Sequence, residues 1–385
     1  MGLALNCREC IVLTSRRRGE IEEHRSPALA QVKGREVSAI GQKAYRLVGK
    51  SNDIVCVFPG RLEDPTVLSA YLEKVFPRIS SIRRPRVWAS VPTAFSVQMQ
   101  LDLRNSLDAC LSVRETVLVP EILAAALGSG FPLLRSEEET HRARMVVHIG
   151  STRISSGVFV DGNLAGLTVR EGSWHRLVRE VQENLQFRFG TTLGFNTFYK
   201  VVRTLSRSFF DRQLSEPSRP KPFPATPRPD PDNGDPPEQE PAAEVLPDVN
   251  PPSNLRSFSE RGLIEYVIED ETISRSIDIQ LKNFLFGLEK VVLGCFSQLR
   301  ADGRGEIASD LFSDRIVLCG DIFFEPAALA RHFSRLTRFR FEPVSGNPVT
   351  KGLRRILSAD VASKKAYRGL ASLIHEDGGL FFSRV

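Results

Sequence analysis

No apolar run in the 385 residues approaches the ~20 needed to cross a bilayer as a helix, which argues against a membrane-spanning protein. The opening Met1-Gly2-Leu3-Ala4-Leu5-Asn6-Cys7-Arg8 meets a charge too early for a secretory leader. Asn6 also stands where an N-myristoylation signal needs serine or threonine. Cysteine is sparse and scattered: Cys7, Cys10, Cys56, Cys110, Cys295 and Cys319 form no clustered framework, which predicts reduced thiols in a cytoplasmic protein. Cys7 and Cys10 lack a second Cys or His pair at ligand spacing. Three apart on a strand, they would point to opposite faces, so no metal site is expected.

What the chain does have is ordinary globular composition, 41% hydrophobic and 25% charged, at a length that suits two domains better than one core. Residues 216–252 break the pattern, with 13 prolines, 8 Asp or Glu and 3 Lys or Arg in 37 residues. Such a segment buries too little apolar surface to offset its ordering entropy, so it is expected to be disordered or polyproline-like. Either it is a solvated loop, or Arg219-Pro220-Lys221-Pro222-Phe223-Pro224 docks a protein partner through an extended-peptide groove.

The segment carries −5 against +6 for the whole chain, leaving +11 on the remainder. Of that, +8 falls between Arg331 and Arg368, where ten Lys or Arg meet only Glu342 and Asp360. Unless it is merely a solvated surface, this stretch suits an anionic membrane surface or an acidic partner. No recognisable nucleic-acid module accompanies it, which argues against nucleic acid.

The periodicities alternate between strand and helix. Val146-Val147-His148-Ile149-Gly150-Ser151-Thr152 and the residues after it read as strand, turn, strand, then an Asp161-Gly162 hairpin and a third strand. Arg86 to Val91 reads as a strand leading to a helix. Val117 to Gly130 reads as a strand, a helix from Glu121 and a glycine stop. Arg315 to Asp321 is a strand into a turn, with Glu325-Pro326 opening a helix. Asp64-Pro65 and Ser173 are helix starts, and the longest apolar stripe runs from Leu281 to Leu299.

In this order and at these spacings the blocks resemble the MreB branch of the actin and Hsp70-like ATPase superfamily. There the equivalents read "VPSG", "EEPMAAAIGAG", "DIGGGTTE" and "LTGGGA". The resemblance implies an actin-like two-domain α/β fold, with ribonuclease-H-like mixed sheets and helices on both faces. Residues 1–145 would form domain I, completed by about 338–385, and residues 146–337 domain II, with the Pro-rich insertion 216–252 inside it.

The resemblance also implies a cleft in which glycine-rich loops hold the phosphates of ATP, carboxylates position hydrated magnesium, and a Glu orients the attacking water. Here the loops depart from that pattern. Asn6 stands in place of the first Asp, and the glycine and hydroxyl residues that should follow are missing. His148 replaces the second Asp, although Gly150, Ser151 and Thr152 remain near it. Gly320-Asp321-Ile322-Phe323 replaces the triple glycine of the adenosine loop, and only Glu121 keeps the family residue, as the water-orienting carboxylate.

The implied protein is a cytoskeletal or scaffold element of the bacterial cytoplasm, with a role in cell shape. It would assemble with itself or with an MreB-type filament, binding Mg-ATP weakly at most and hydrolysing it little or not at all. Two alternatives stay open. One is a nucleotide-dependent ATPase filament or sugar-kinase-like enzyme in which Arg8 or Arg153 replaces magnesium as counter-charge. The other is a non-polymerising adaptor at the inner face of the membrane.

Overall fold

The computed structural model describes residues 1–6, 9–15, 20–34, 36–47, 53–58, 65–75, 86–94, 96–111, 113–131, 143–150, 152–160, 163–171, 182–183, 195–215, 269–313, 315–320, 326–337, 339–344 and 346–362. The Pro-rich segment 216–252, the helix expected from Ser173 apart from residues 182–183, and Asp64, Asp161, Gly162, Asp321 and Glu325 lie outside them.

Two five-stranded sheets, one three-stranded sheet and nine helices are seen among the described residues. Strands β1 (Gly2–Leu5), β2 (Glu9–Ser15) and β3 (Ile21–Pro27) form an antiparallel meander. Strands β4 (Leu29–Lys33), β5 (Glu36–Ile40) and β6 (Ile54–Cys56) make a small side sheet with the short helix α1 (Gln42–Tyr45). Helix α2 (Pro65–Val75) precedes β7 (Arg86–Val91), α3 (Val97–Leu111), β8 (Glu115–Pro120) and α4 (Glu121–Gly128).

The second half has β9 (Ala143–Ile149), β10 (Arg153–Val160), β11 (Asn163–Glu171), α5 (Phe195–Ser215), α6 (Glu271–Ala301) and α7 (Gly305–Ser313). It ends with β12 (Arg315–Gly320), α8 (Pro326–Thr337), β13 (Arg340–Pro343) and α9 (Pro348–Ala362).

The two large sheets share one topology. Sheet 1 runs β3-β2-β1-β7-β8 and sheet 2 runs β11-β10-β9-β12-β13. In each, an antiparallel meander is extended by two strands parallel to its first. Parallel strands need long crossovers, which the intervening helices supply.

Strand alternation then sorts the side chains into three cores. Leu3 and Leu5 of β1 and Val87, Ala89 and Val91 of β7 face α2 and α3, while Ala4 and Trp88 face the middle. In sheet 2, Met145, Val147 and Ile149 of β9 and Ile316 and Leu318 of β12 face α5, α6 and α8, whereas Val146, Val317 and Cys319 face the middle. The middle core is filled by α4 and α9. Strands buried on both faces read as continuous apolar runs, which is the form these strands take in the sequence.

Helix α6 is positioned by its stripe: Leu281, Phe284, Leu285, Leu288, Val291, Val292, Cys295 and Leu299 are all buried. Asp270 caps its start by accepting the Ile273 N–H at 2.9 Å. Helix α9 starts in the same way, with Asn347 Oδ1 accepting the Thr350 N–H at 3.0 Å and Pro348 at its first position.

Helices α4 and α9 cross with their backbones in contact. A methyl group at Gly352 would lie 1.9 Å from the Ala124 carbonyl oxygen, and one at Gly128 would lie 1.8 Å from that of Pro348. Strand β13 pairs in parallel with β12 and Phe341 joins the outer core of sheet 2, while α9 packs against α4 and β1.

Candidate functional site

Because the two sheets repeat one topology, each places a hairpin turn after its first strand. In sheet 1 the chain turns from Asn6 to Glu9, where the Asn6 N–H donates to the Glu9 carbonyl at 3.2 Å. In sheet 2 it turns from Gly150 to Arg153, where the Gly150 N–H donates to the Arg153 carbonyl at 2.9 Å. Asn6 and Gly150 line a common cleft with Ser90, Glu121, His148 and Gly320. Five residues singled out from the sequence, Asn6, Glu121, His148, Gly150 and Gly320, therefore come together. Thr152 is half-buried and not part of the lining, and Ser151, Asp321 and Arg8 lie outside the described residues.

Each lining residue has a local reason for its place. Asn6 Oδ1 accepts the Glu9 N–H at 2.7 Å, so the carboxamide closes its own hairpin. Glu121 is the first residue of α4, which follows directly from the end of β8. His148 is the penultimate residue of β9, with its Nδ1 3.9 Å from Glu121 Oε2, and both residues are buried, at 4% and 7% exposure. Burial pushes the imidazole down to about 4, so His148 is neutral near pH 7 and its contact with Glu121 is not an ion pair there. Gly320 ends β12 at φ +124, and a methyl group on it would lie 2.1 Å from the Ile149 carbonyl oxygen. The glycine is needed both for its backbone conformation and for its close approach to β9.

The described lining does not fit a magnesium nucleotide. It contains no Lys or Arg, and its histidine is neutral. The carboxamide of Asn6 is engaged in its turn, and a methyl group at Gly150 would lie 3.0 Å from Glu121 Oε2, so the second turn is packed against the one carboxylate of the described lining. A triphosphate needs convergent donors and counter-charge, and a neutral imidazole does not serve hydrated magnesium as a carboxylate does.

Arg153 is engaged elsewhere. Its guanidinium donates to the carbonyls of Thr93, at 3.2 Å, and Ala94, and pairs with Glu171 at 3.0 Å. Sequence reasoning missed Ala4, Leu5, Ser90, Asn347 and Val349 in the lining. Asn347-Pro348 carried a readable helix-start signal, whereas Ser90, inside an apolar strand, carried none.

The basic stretch divides between the lobes. Arg331, Arg335 and Arg340 belong to α8 and β13, while Lys351, Arg354 and Arg355 belong to α9. Arg354 pairs with Glu23 at 2.6 Å and Arg355 donates to the Leu127 carbonyl at 2.5 Å. Arg338, Lys364, Lys365 and Arg368 lie outside the described residues.

Comparison with known proteins agrees with this architecture. No curated protein matches the chain in sequence. Among solved structures, MreB5 of Spiroplasma citri bound to AMPPNP aligns with a TM-score of 0.63 at 16% identity, covering 96% of this chain and 98% of that one. The same protein bound to ADP aligns at 0.59 and 15%, covering 94% and 97%. A MamK double helical filament aligns at 0.51 and 13%, covering 92% and 97%. At such identities the likeness concerns the fold, which is the actin-like one. The family model described as MreB/Mbl protein matches residues 1–197, just over half of the sequence, and the chain belongs to the MreB/Mbl family.

Proposed function

We propose that this chain is an MreB-like cytoskeletal or scaffold protein of the bacterial cytoplasm, a pseudo-ATPase that assembles with itself or with another actin-like filament. The carrying observation is the cleft: a buried neutral His148 stands beside Glu121, and no cation is among the described lining residues. The inner faces of both sheets nonetheless pack around α4 and α9, which supports a two-lobed body that does not depend on phosphate chemistry. A head-to-tail interface that repeats without closing needs that body and not turnover. The solved MamK relative is a double helical filament, which supports assembly as the retained property.

The test is sedimentation and phosphate release with the purified full chain. Pelleting to the same extent with and without Mg-ATP, and phosphate release at the buffer level, are the expected results. Micromolar Mg-ATP affinity, about −8 kcal/mol, together with turnover lost in Glu121→Ala, would overturn the pseudo-ATPase reading. Failure to pellet alone or with an MreB filament would favour the non-polymerising adaptor instead.

A further inference from the structure

Arg153 opens β10 in sheet 2, yet its Nη1 reaches two successive carbonyls, Thr93 and Ala94, in the connection after β7 of sheet 1. Its Nη2 is held by Glu171, which is its register partner on β11. The guanidinium is thus anchored in one lobe and spent on the other. Ala94 has φ 60, the left-handed region that a residue with a Cβ avoids, and such strain persists where neighbouring contacts compensate for it.

The contact continues beyond the loop. Thr93 Oγ1 accepts the Ile122 N–H at 3.1 Å, an amide in the first turn of α4 that has no acceptor within its own helix. Glu121, one residue earlier, meets His148 and Gly150 of sheet 2. The contacts therefore form a closed ring from β10 through the 93–94 connection and α4 back to β9.

We propose that Arg153 is an interlobe strut that holds the cleft in one geometry without a ligand, the bridging task that phosphates contacting both hairpin turns would otherwise perform. The second half of that statement rests on reading the cleft as one that takes no nucleotide. Arginine suits the role, since its planar fork donates several hydrogen bonds at once and stays charged at every physiological pH.

The experiment is hydrogen exchange on the full chain, following the Ile122 amide and those around Thr93, with the amides of β8 and β9 as internal controls. In Arg153→Ala the Ile122 amide should exchange about tenfold faster or more, as expected for loss of charge-assisted hydrogen bonds, while β8 and β9 stay unchanged. Arg153→Lys should fall between the two, because an ammonium cannot reproduce the fork. If Arg153→Ala loosens every amide, the exposed anchor decides: Glu171→Ala should accelerate Ile122 alone. Unchanged Ile122 exchange in Arg153→Ala, or in Glu171→Ala after such global loosening, overturns the strut. Slower exchange of the unsubstituted protein on adding Mg-ATP would instead overturn the reading of the cleft, while the strut is judged on the variants alone.

Discussion

Gly352→Ala is the sharpest test of how the lobes are joined, because local and tertiary effects have opposite signs. Gly352 lies inside α9, where alanine is favoured over glycine by about 1 kcal/mol, so helix propensity alone makes the substitution stabilising. The added methyl would lie 1.9 Å from the Ala124 oxygen, 2.7 Å from its carbonyl carbon and 3.0 Å from its Cα. All three are backbone atoms of α4, so no side chain can rotate away, and relief needs the helices to part by more than about 1 Å, given ordinary heavy-atom contacts near 3.5 Å.

Such a gap forfeits a quarter to a half of each contact well, and the contacts at stake involve Leu127, Leu353, Ile356 and Leu357, all nearly fully buried in the middle core. Overpacking costs about 1–3 kcal/mol, and rigid obstacles place this site at the upper end, which leaves roughly 2 kcal/mol after the propensity gain of about 1 kcal/mol. The apparent Tm should fall by about 2–3 °C, at a little over 1 °C per kcal/mol for a chain of this size. Gly305→Ala is the control, since nothing lies within 4 Å of its would-be methyl, and its Tm should be unchanged or slightly raised. Melting both variants beside the parent decides the matter. A Gly352→Ala protein that melts at or above the parent temperature would refute the backbone crossing.

Three further outcomes are expected. Gly320→Ala should destabilise by about 3 kcal/mol or more, since φ +124 and the 2.1 Å approach to Ile149 both exclude a side chain, and denaturant midpoints should report the loss. The folded pKa of His148, about 4, lies below its ordinary 6.5, so the unfolded chain takes up the proton first and stability falls as pH drops from 6.5 towards 4, by roughly 3 kcal/mol in all. In His148→Gln the slope of unfolding free energy against pH should lose about one proton over that window, and an unchanged slope would show that the imidazole is accessible to protons in the folded state. Asn6→Ala should loosen the first hairpin turn by about 1 kcal/mol, because it removes the acceptor of the Glu9 N–H, whereas Asn6→Asp keeps an acceptor and should hold Glu9 amide protection near the parent level.

Much of the fold was legible because its signals are local. The central strands announced themselves as apolar runs, and α6 by a stripe that the structure buries at every position from Leu281 to Leu299. The glycine stop after Leu127 was equally readable, with the Phe131 N–H returning to the Ala126 carbonyl at 3.1 Å. The small sheet β4 to β6 was not legible, since its strands are three to five residues long and partly exposed, so neither length nor alternation marks them.

The site divides along the same line. Which residues approach the cleft was implied by the resemblance of the blocks, in their order and spacing, to the MreB branch, and the structure brings Asn6, Glu121, His148, Gly150 and Gly320 together. Residue identity likewise settled that Asn6 and His148 bring no carboxylate to those turns. What each group does there depended on neighbours distant in the chain. Only the folded structure commits the Arg153 charge to Thr93 and Ala94, holds His148 neutral by burial beside Glu121, and makes Gly128 and Gly352 a contact between backbones. Periodicity and turn chemistry act within a few residues and are written in the sequence, whereas desolvation, counter-charge and steric exclusion belong to whatever the fold brings alongside.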